Sequence, residues 1–178
     1  YTGAHGEANA LNIVIDAARL IQDLPIKIIL VGDGPEKNSL MKYSRGLQNV
    51  CFKDSIPKEN IPSLLEEADA ILLTLKKVDL FKYGVSPNKL YDAYAVSRPV
   101  ITNVPGVINN EVEKYRLGQT ALPDNPKDLA FAIKKLYTTP RVEREKMAKR
   151  ARKLAESTYS RSIIIEKYNK LFYSLLSS

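Results

Sequence analysis

Apolar residues along this chain gather in short runs separated by stretches of helical period. Residues 26–31 (IKIILV), 49–52 (NVCF), 70–75 (AILLTL), 99–102 (PVIT) and, more weakly, 119–122 (QTAL) read as strands. These runs are continuous rather than alternating, as expected of strands buried on both faces. Between them the period lengthens. Residues 10–24 place Leu11, Val14, Ile15, Ala18 and Ile21 on one side of a helix. Residues 36–46, closing at Gly46, and residues 61–68, 88–96 and 128–136 read as further helices. Strand–helix alternation predicts a parallel sheet with right-handed crossovers.

After residue 138 the pattern changes. Two helices follow Pro140 with no strand between them. The last, over 160–176, carries Ile164, Tyr168, Leu171, Phe172 and Leu175 on one stripe, expected to pack within the domain, with a partly unburied stripe as the alternative. The predicted fold class is therefore α/β: one Rossmann-like domain over 1–178. Its parallel sheet flanked by helices occupies 1–138, and a helical C-terminal extension occupies 139–178.

Composition narrows the chemistry. With 44% hydrophobic residues in 178, the chain can build a real core. A single cysteine excludes an internal disulfide framework and fits a reducing compartment. One histidine and one cysteine leave no protein-built zinc site, so no metal is expected. No apolar run approaches the ~18 residues of a membrane span. The opening Tyr1-Thr2-Gly3 has no initiator Met, which suggests a piece of a longer protein. The formal net charge is +7, of which residues 141–153 contribute +5. That strip reads either as the solvated face of an amphipathic helix, the commoner case, or as a contact for an acidic surface. Aromatics do not interleave with its cations, so nucleic acid is not an expected partner.

Two glycine loops lie where an α/β sheet binds ligands, beyond the carboxyl ends of the strands. The first contains Gly3, His5 and Gly6 and runs through Asn9 into the first helix; the second contains Gly32 and Gly34 before Pro35. Glycine permits close approach to a ligand, and a helix N-terminus favours phosphate. On the residues alone a tight turn without ligand is the competing reading of the second loop. The G-x-G-x-x-G fingerprint fails at Lys37, although Asp54, 20 residues past Gly34, stands where a ribose-binding acid of a dinucleotide fold would. His5 could equally be a packing residue.

The segment 81–95 (FKYGVSPNKLYDAYA) is more specific. Pro87 and Asn88 read as a helix start that Ser86 can cap, with Lys89 in the first turn. A cation there opposes the helix dipole, and a bound diphosphate would reverse that penalty. Asn88, Lys89 and Asp92 can share a face. A solvent-directed Lys89 is the competing reading.

In combination these motifs resemble the C-terminal, donor-binding half of retaining GT-B glycosyltransferases of the group 1 (family 4) type. The resemblance covers nearly the whole chain. It is carried by Gly3 with Asp16-Ala17-Ala18, by Val31-Gly32-Asp33-Gly34-Pro35, by Asn49-Val50-Cys51-Phe52 with Ile56-Pro57, and by Ala68-Asp69-Ala70. Asp92-Ala93-Tyr94-Ala95 leading to Arg98-Pro99-Val100-Ile101 completes it. Ser86–Asp92 resembles a S-P-x-K-L-[FY]-[DE] segment of amino-sugar transferases in surface-polysaccharide assembly. The resemblance implies a nucleotide-sugar substrate, most often a UDP-sugar, and no separate cofactor. Asp92 would hold the ribose, and Lys89 and Asp92 would carry the catalysis. The Gly3, His5, Gly6 and Asn9 loop with Ser86, Pro87, Asn88 and Lys89 would face the diphosphate, and Ile56, Pro57 and Ile61 the base. Three departures stand out. The first acid of the family's E-x7-E pair falls on Gly84, and its two phosphate cations fall on Ala4 and Asn9. Lys89 is the candidate replacement, with His5 assisting if protonated. Further implied partners are the protein's own N-terminal acceptor domain, a lipid-linked glycan acceptor and a membrane surface. The implied location is cytoplasmic, at the inner face of the plasma membrane, and this piece alone would transfer no sugar. A nucleotide-sugar epimerase on the same scaffold and a non-catalytic nucleotide-binding module are the alternatives.

Overall fold

The computed structural model describes residues 1–176, without the side chain of Lys82. Residues 177 and 178 of the predicted extension lie outside the described residues. All five expected strands form: β1 (Ile28–Val31), β2 (Val50–Lys53), β3 (Ile71–Leu73), β4 (Val100–Thr102) and β5 (Gly118–Thr120). Every pairing is parallel. The strands fall into two hydrogen-bonded groups, β1-β2 and β3-β4-β5. The chain start extends the first group: Thr2 bridges Val31, and Gly3 N donates to Val31 O at 2.9 Å.

The continuous apolar runs have a direct packing consequence. Side chains alternate across a strand, and here both faces are covered. In β3, Ile71 and Leu73 enter one core cluster while Leu72 enters the other. In β4, Val100 joins the cluster of Ile71 and Leu73, and its neighbour Ile101 that of Leu72. The pairs Ile71↔Val100 and Leu72↔Ile101 are in register, so each face receives matched residues from both strands. One cluster is built on α1 (Leu11–Arg19) and α6 (Pro126–Thr138). The other is built on α4 (Asn88–Ala95), α5 (Val107–Tyr115) and the end of α7 (Arg141–Leu154).

Several boundaries differ from expectation. α1 stops at Arg19, ahead of a turn that leads to Pro25. α2 (Lys37–Tyr43) stops before Gly46, which takes φ +86° in the following turn. α3 covers Ile61–Glu66. The sequence pattern did not predict α5. Its buried stripe is only Ile108 and Val112, one turn apart, and Asn109, Asn110 and Glu113 dilute the period. α7 runs into a π-helical turn, Ala155–Tyr159, and then α8 (Arg161–Leu176). The expected burial of the α8 stripe is not found: α8 has no buried residue, and Leu171, Phe172 and Leu175 are each more than half exposed.

Candidate functional site

The two glycine loops dock on each other. A side chain at Gly32 would put its Cβ 1.9 Å from Gly3 O, and one at Gly34 would lie 2.6 Å from His5 O. The two glycines thus allow one loop's backbone to cross the other. Backbone bonds lock the contact: His5 N donates to Asp33 O at 2.8 Å and Glu36 N donates to His5 O at 2.9 Å. Further along, Lys76 N donates to Ala8 O at 2.9 Å, and the buried Thr74 Oγ1 donates to Asn9 O at 2.8 Å. The opening loop is therefore fixed from β1, from α2 and from the end of β3. At Gly6 an added Cβ would meet nothing within 4 Å. Gly6 only leads into the short 3-10 turn Glu7–Asn9.

Lys89, in the first turn of α4, reaches this loop. Its Nζ donates to Tyr1 Oη at 2.9 Å and to Asn9 Oδ1 at 3.1 Å, and lies 4.1 Å from the Tyr1 ring centroid. It also sits 3.3 Å from where a Cβ on Gly3 would be. Partial burial lowers its pKa to about 8. No carboxylate pairs with it among the described residues. An ammonium has three donors. Two go to neutral oxygens, so one N–H lacks an acceptor and the charge lacks an anion. A solvent-directed Lys89 is not what forms.

The start of α4 is open. Its N-cap position is Pro87, and no side chain caps it. The expected Ser86 cap is absent because the Ser86 hydroxyl instead meets the Tyr91 hydroxyl at 2.9 Å. Uncapped N–H groups at Asn88 and Lys89 therefore flank a cation, a combination suited to a phosphate. Asp92 lies one turn on, and its carboxyl pKa is raised by partial burial and held back by Lys58. Lys58 opens the turn Lys58–Asn60 that follows Ile56 and Pro57 and leads into α3 at Ile61. Lys58 is near enough to act on the Asp92 carboxyl, so the predicted base-side loop and the Asp92 face are neighbours.

Two expectations are corrected. His5 adds no positive charge to the site. Its ring is fully buried, 6.2 Å from Tyr1 and 5.7 Å from Phe52 between centroids. Burial, reinforced by Lys37, pushes its pKa down, and neither ring nitrogen has a hydrogen-bond partner. The acid of the dinucleotide alternative is not a lone carboxylate: Lys37 Nζ donates to Asp54 Oδ1 at 2.7 Å and to Gly32 O at 2.9 Å, tying the ends of β1 and β2.

Sequence reasoning missed Tyr1, Thr74 and Asn103. Buried Asn103 closes the ends of β3 and β4 by accepting from Leu75 N at 2.9 Å and donating to Leu75 O at 3.2 Å. None of the three has a spacing signal, because each acts on a residue distant in the chain. A separate groove of about 590 Å³, lined by Glu7, Glu36, Tyr43, Lys76 and Asp124, includes neither Lys89 nor Asp92.

Comparison with known proteins gives a consistent result. The family model for glycosyl transferases group 1 matches residues 1–139. WcaI of Escherichia coli (strain K12), named for colanic acid biosynthesis glycosyl transfer, is 35% identical over 98 residues, covering 54% of this chain and 24% of that protein. YtcC of Bacillus subtilis (strain 168), named for glycosyl transfer, is 25% identical over 172 residues, covering 89% and 40%. The chain thus spans less than half the length of these relatives. The fold matches the crystal structure of S. aureus TarM with fondaparinux, α-GlcNAc-glycerol and UDP. The TM-score is 0.81 at 20% identity, over 97% of this chain and 34% of that one.

Proposed function

The chain belongs to the group 1 glycosyl transferases, and on that footing we propose that it is the donor-binding domain of a retaining enzyme. The enzyme moves a sugar from a nucleotide-sugar to a polysaccharide or lipid-linked acceptor. One observation carries the reading: the Lys89 ammonium, with an uncommitted N–H and no carboxylate partner among the described residues, lies beside Gly3 and the uncapped start of α4. The diphosphate of a nucleotide-sugar supplies the missing anion. Asp92, on the same face, accepts from the ribose hydroxyls. UDP is the favoured nucleotide, since it occupies the structurally similar TarM. WcaI, by its name, favours a surface polysaccharide as product.

In the reaction the glycosidic bond to the diphosphate breaks and negative charge grows on the leaving oxygen. Lys89 and the N–H groups of the α4 first turn stabilise that charge without reorganising. The acceptor hydroxyl attacks from the same face and gives its proton to the leaving phosphate oxygen. The acceptor is held by an N-terminal domain, so this domain alone binds nucleotide and transfers nothing. The cationic face of α7 holds the whole enzyme near an anionic membrane surface.

Calorimetric titration tests the reading. UDP binds the wild-type protein, and Lys89→Ala and Asp92→Ala each weaken it by roughly tenfold or more, about 1.4 kcal/mol. NAD does not bind. Absence of any nucleoside diphosphate binding, or unchanged affinity in Lys89→Ala, overturns it.

A further inference from the structure

Tyr1 stands between the opening loop and the candidate cation. Its backbone is locked against β1: Tyr1 N donates to Ile29 O at 2.9 Å, and Tyr1 O accepts from Val31 N at 2.8 Å. Its side chain is almost wholly buried, so the ring has little freedom. The hydroxyl has one proton and two lone pairs. The proton goes to Ala4 O at 2.8 Å, inside the loop, and a lone pair takes the Lys89 ammonium at 2.9 Å. One oxygen therefore measures both the loop and the cation. The ring face adds a cation–π contact at 4.1 Å, which favours the charged amine.

We propose that Tyr1 is a positioning residue for donor binding: its hydroxyl holds the Lys89 ammonium against the opening loop, so that the free N–H is aimed at the diphosphate. This rests on the reading of Lys89 as the cation of the diphosphate. Asn9 provides the second neutral acceptor, at 3.1 Å. Neither acceptor carries charge, so the ammonium is oriented without being neutralised. A carboxylate in either place would fix Lys89 equally well but remove its pull on the ligand. Burial pushes the Tyr1 phenol pKa up, which keeps the hydroxyl a donor to Ala4 through the neutral range.

The test is a double-mutant cycle in the intact protein, with UDP and uridine as separate probes. Tyr1→Phe keeps the ring and removes only the shared oxygen. It weakens UDP about fivefold, the scale of one hydrogen bond, and leaves uridine affinity unchanged. In a Lys89→Ala background Tyr1→Phe has no further effect. Wild-type UDP affinity in Tyr1→Phe, an equal loss for uridine, or an undiminished loss in the Lys89→Ala background overturns the proposal. The first outcome leaves the Lys89 reading standing, whereas unchanged UDP affinity in Lys89→Ala removes that reading itself. Should Tyr1→Phe not fold, Tyr1→Met carries the same cycle. Failure of both to fold makes Tyr1 a packing residue and also overturns it.

Discussion

Lys89 offers three N–H donors and one charge to surroundings that return two neutral oxygens. Partial burial holds its pKa at about 8 in the free protein, against about 10.4 for a lysine in the unfolded chain. The sign follows. Below pH 8 the folded state carries a partly desolvated cation that costs stability, and the cost fades as the pH rises from 8 towards 10.4. A bound diphosphate has the opposite effect, because it favours the charged amine. UDP binding at about pH 8.5 is therefore expected to take up a fraction of a proton, and affinity to fall as the pH climbs past 8. Calorimetry in two buffers of different ionisation heat measures the uptake, which vanishes in Lys89→Ala. A flat profile to about pH 9.5 would count against Lys89 as the diphosphate cation. At this scale Lys89 was legible, because a cation in a helix first turn is locally unfavourable. His5 was not, since its two unpartnered nitrogens follow from packing against Tyr1 and Phe52.

α4 carries the candidate site on its first turns and is held from behind at its last. Fully buried Tyr94 donates to Glu111 Oε1 of α5 at 3.1 Å, and Tyr159 of the π-helical turn donates to the other oxygen of the same carboxylate. Tyr91 packs against Tyr159 with centroids 4.7 Å apart, and its hydroxyl meets Ser86. One carboxylate thus joins α4, α5 and the turn that leads into α8. Glu111→Leu leaves two hydroxyls without their acceptor and is expected to cost roughly 2–3 kcal/mol. Denaturant melts check the value, and a loss under about 0.5 kcal/mol would make the network incidental. The strands were readable as elements, because runs such as AILLTL suit burial on both faces. α5 was not, because two apolar residues one turn apart give no sustained period. Its role depends on partners from α4 and the π-helical turn that only the fold brings near.

Over the whole molecule the charge is less available than the sequence suggests. Along α7 and into the π-helical turn, Arg141 pairs with Glu145, Lys146 with Glu143, and Arg152 with Glu156, each about one turn apart. Arg150 donates to Arg116 O instead. Exposed pairs of this kind contribute little to stability, and they lower the field the strip can present. The proposed membrane contact is accordingly weak and electrostatic. The protein is expected to bind phosphatidylserine vesicles at low salt and to release them by ~0.5 M salt, where the screening length is only a few ångströms. Sedimentation with vesicles reads this directly, and no binding even at low salt would end the membrane proposal. No described helix is long and apolar enough to cross a membrane.

Local pattern was enough for the parallel α/β class, for the helix start that delivers Lys89, and for the shared face of Lys89 and Asp92. Each depends on residues a few positions apart, and short-range spacing encodes such relations. Long-range placement decided the rest. Gly32 and Gly34 prove to be points where two loops cross, Asp54 proves to be paired with Lys37, and the α8 stripe proves to lie open. Tyr1 meets Lys89 across 88 positions and Asn9 meets it across 80. No periodicity links residues so far apart. Their meeting follows from strands that set the chain start beside β1 and, after β3, return α4 onto the opening loop.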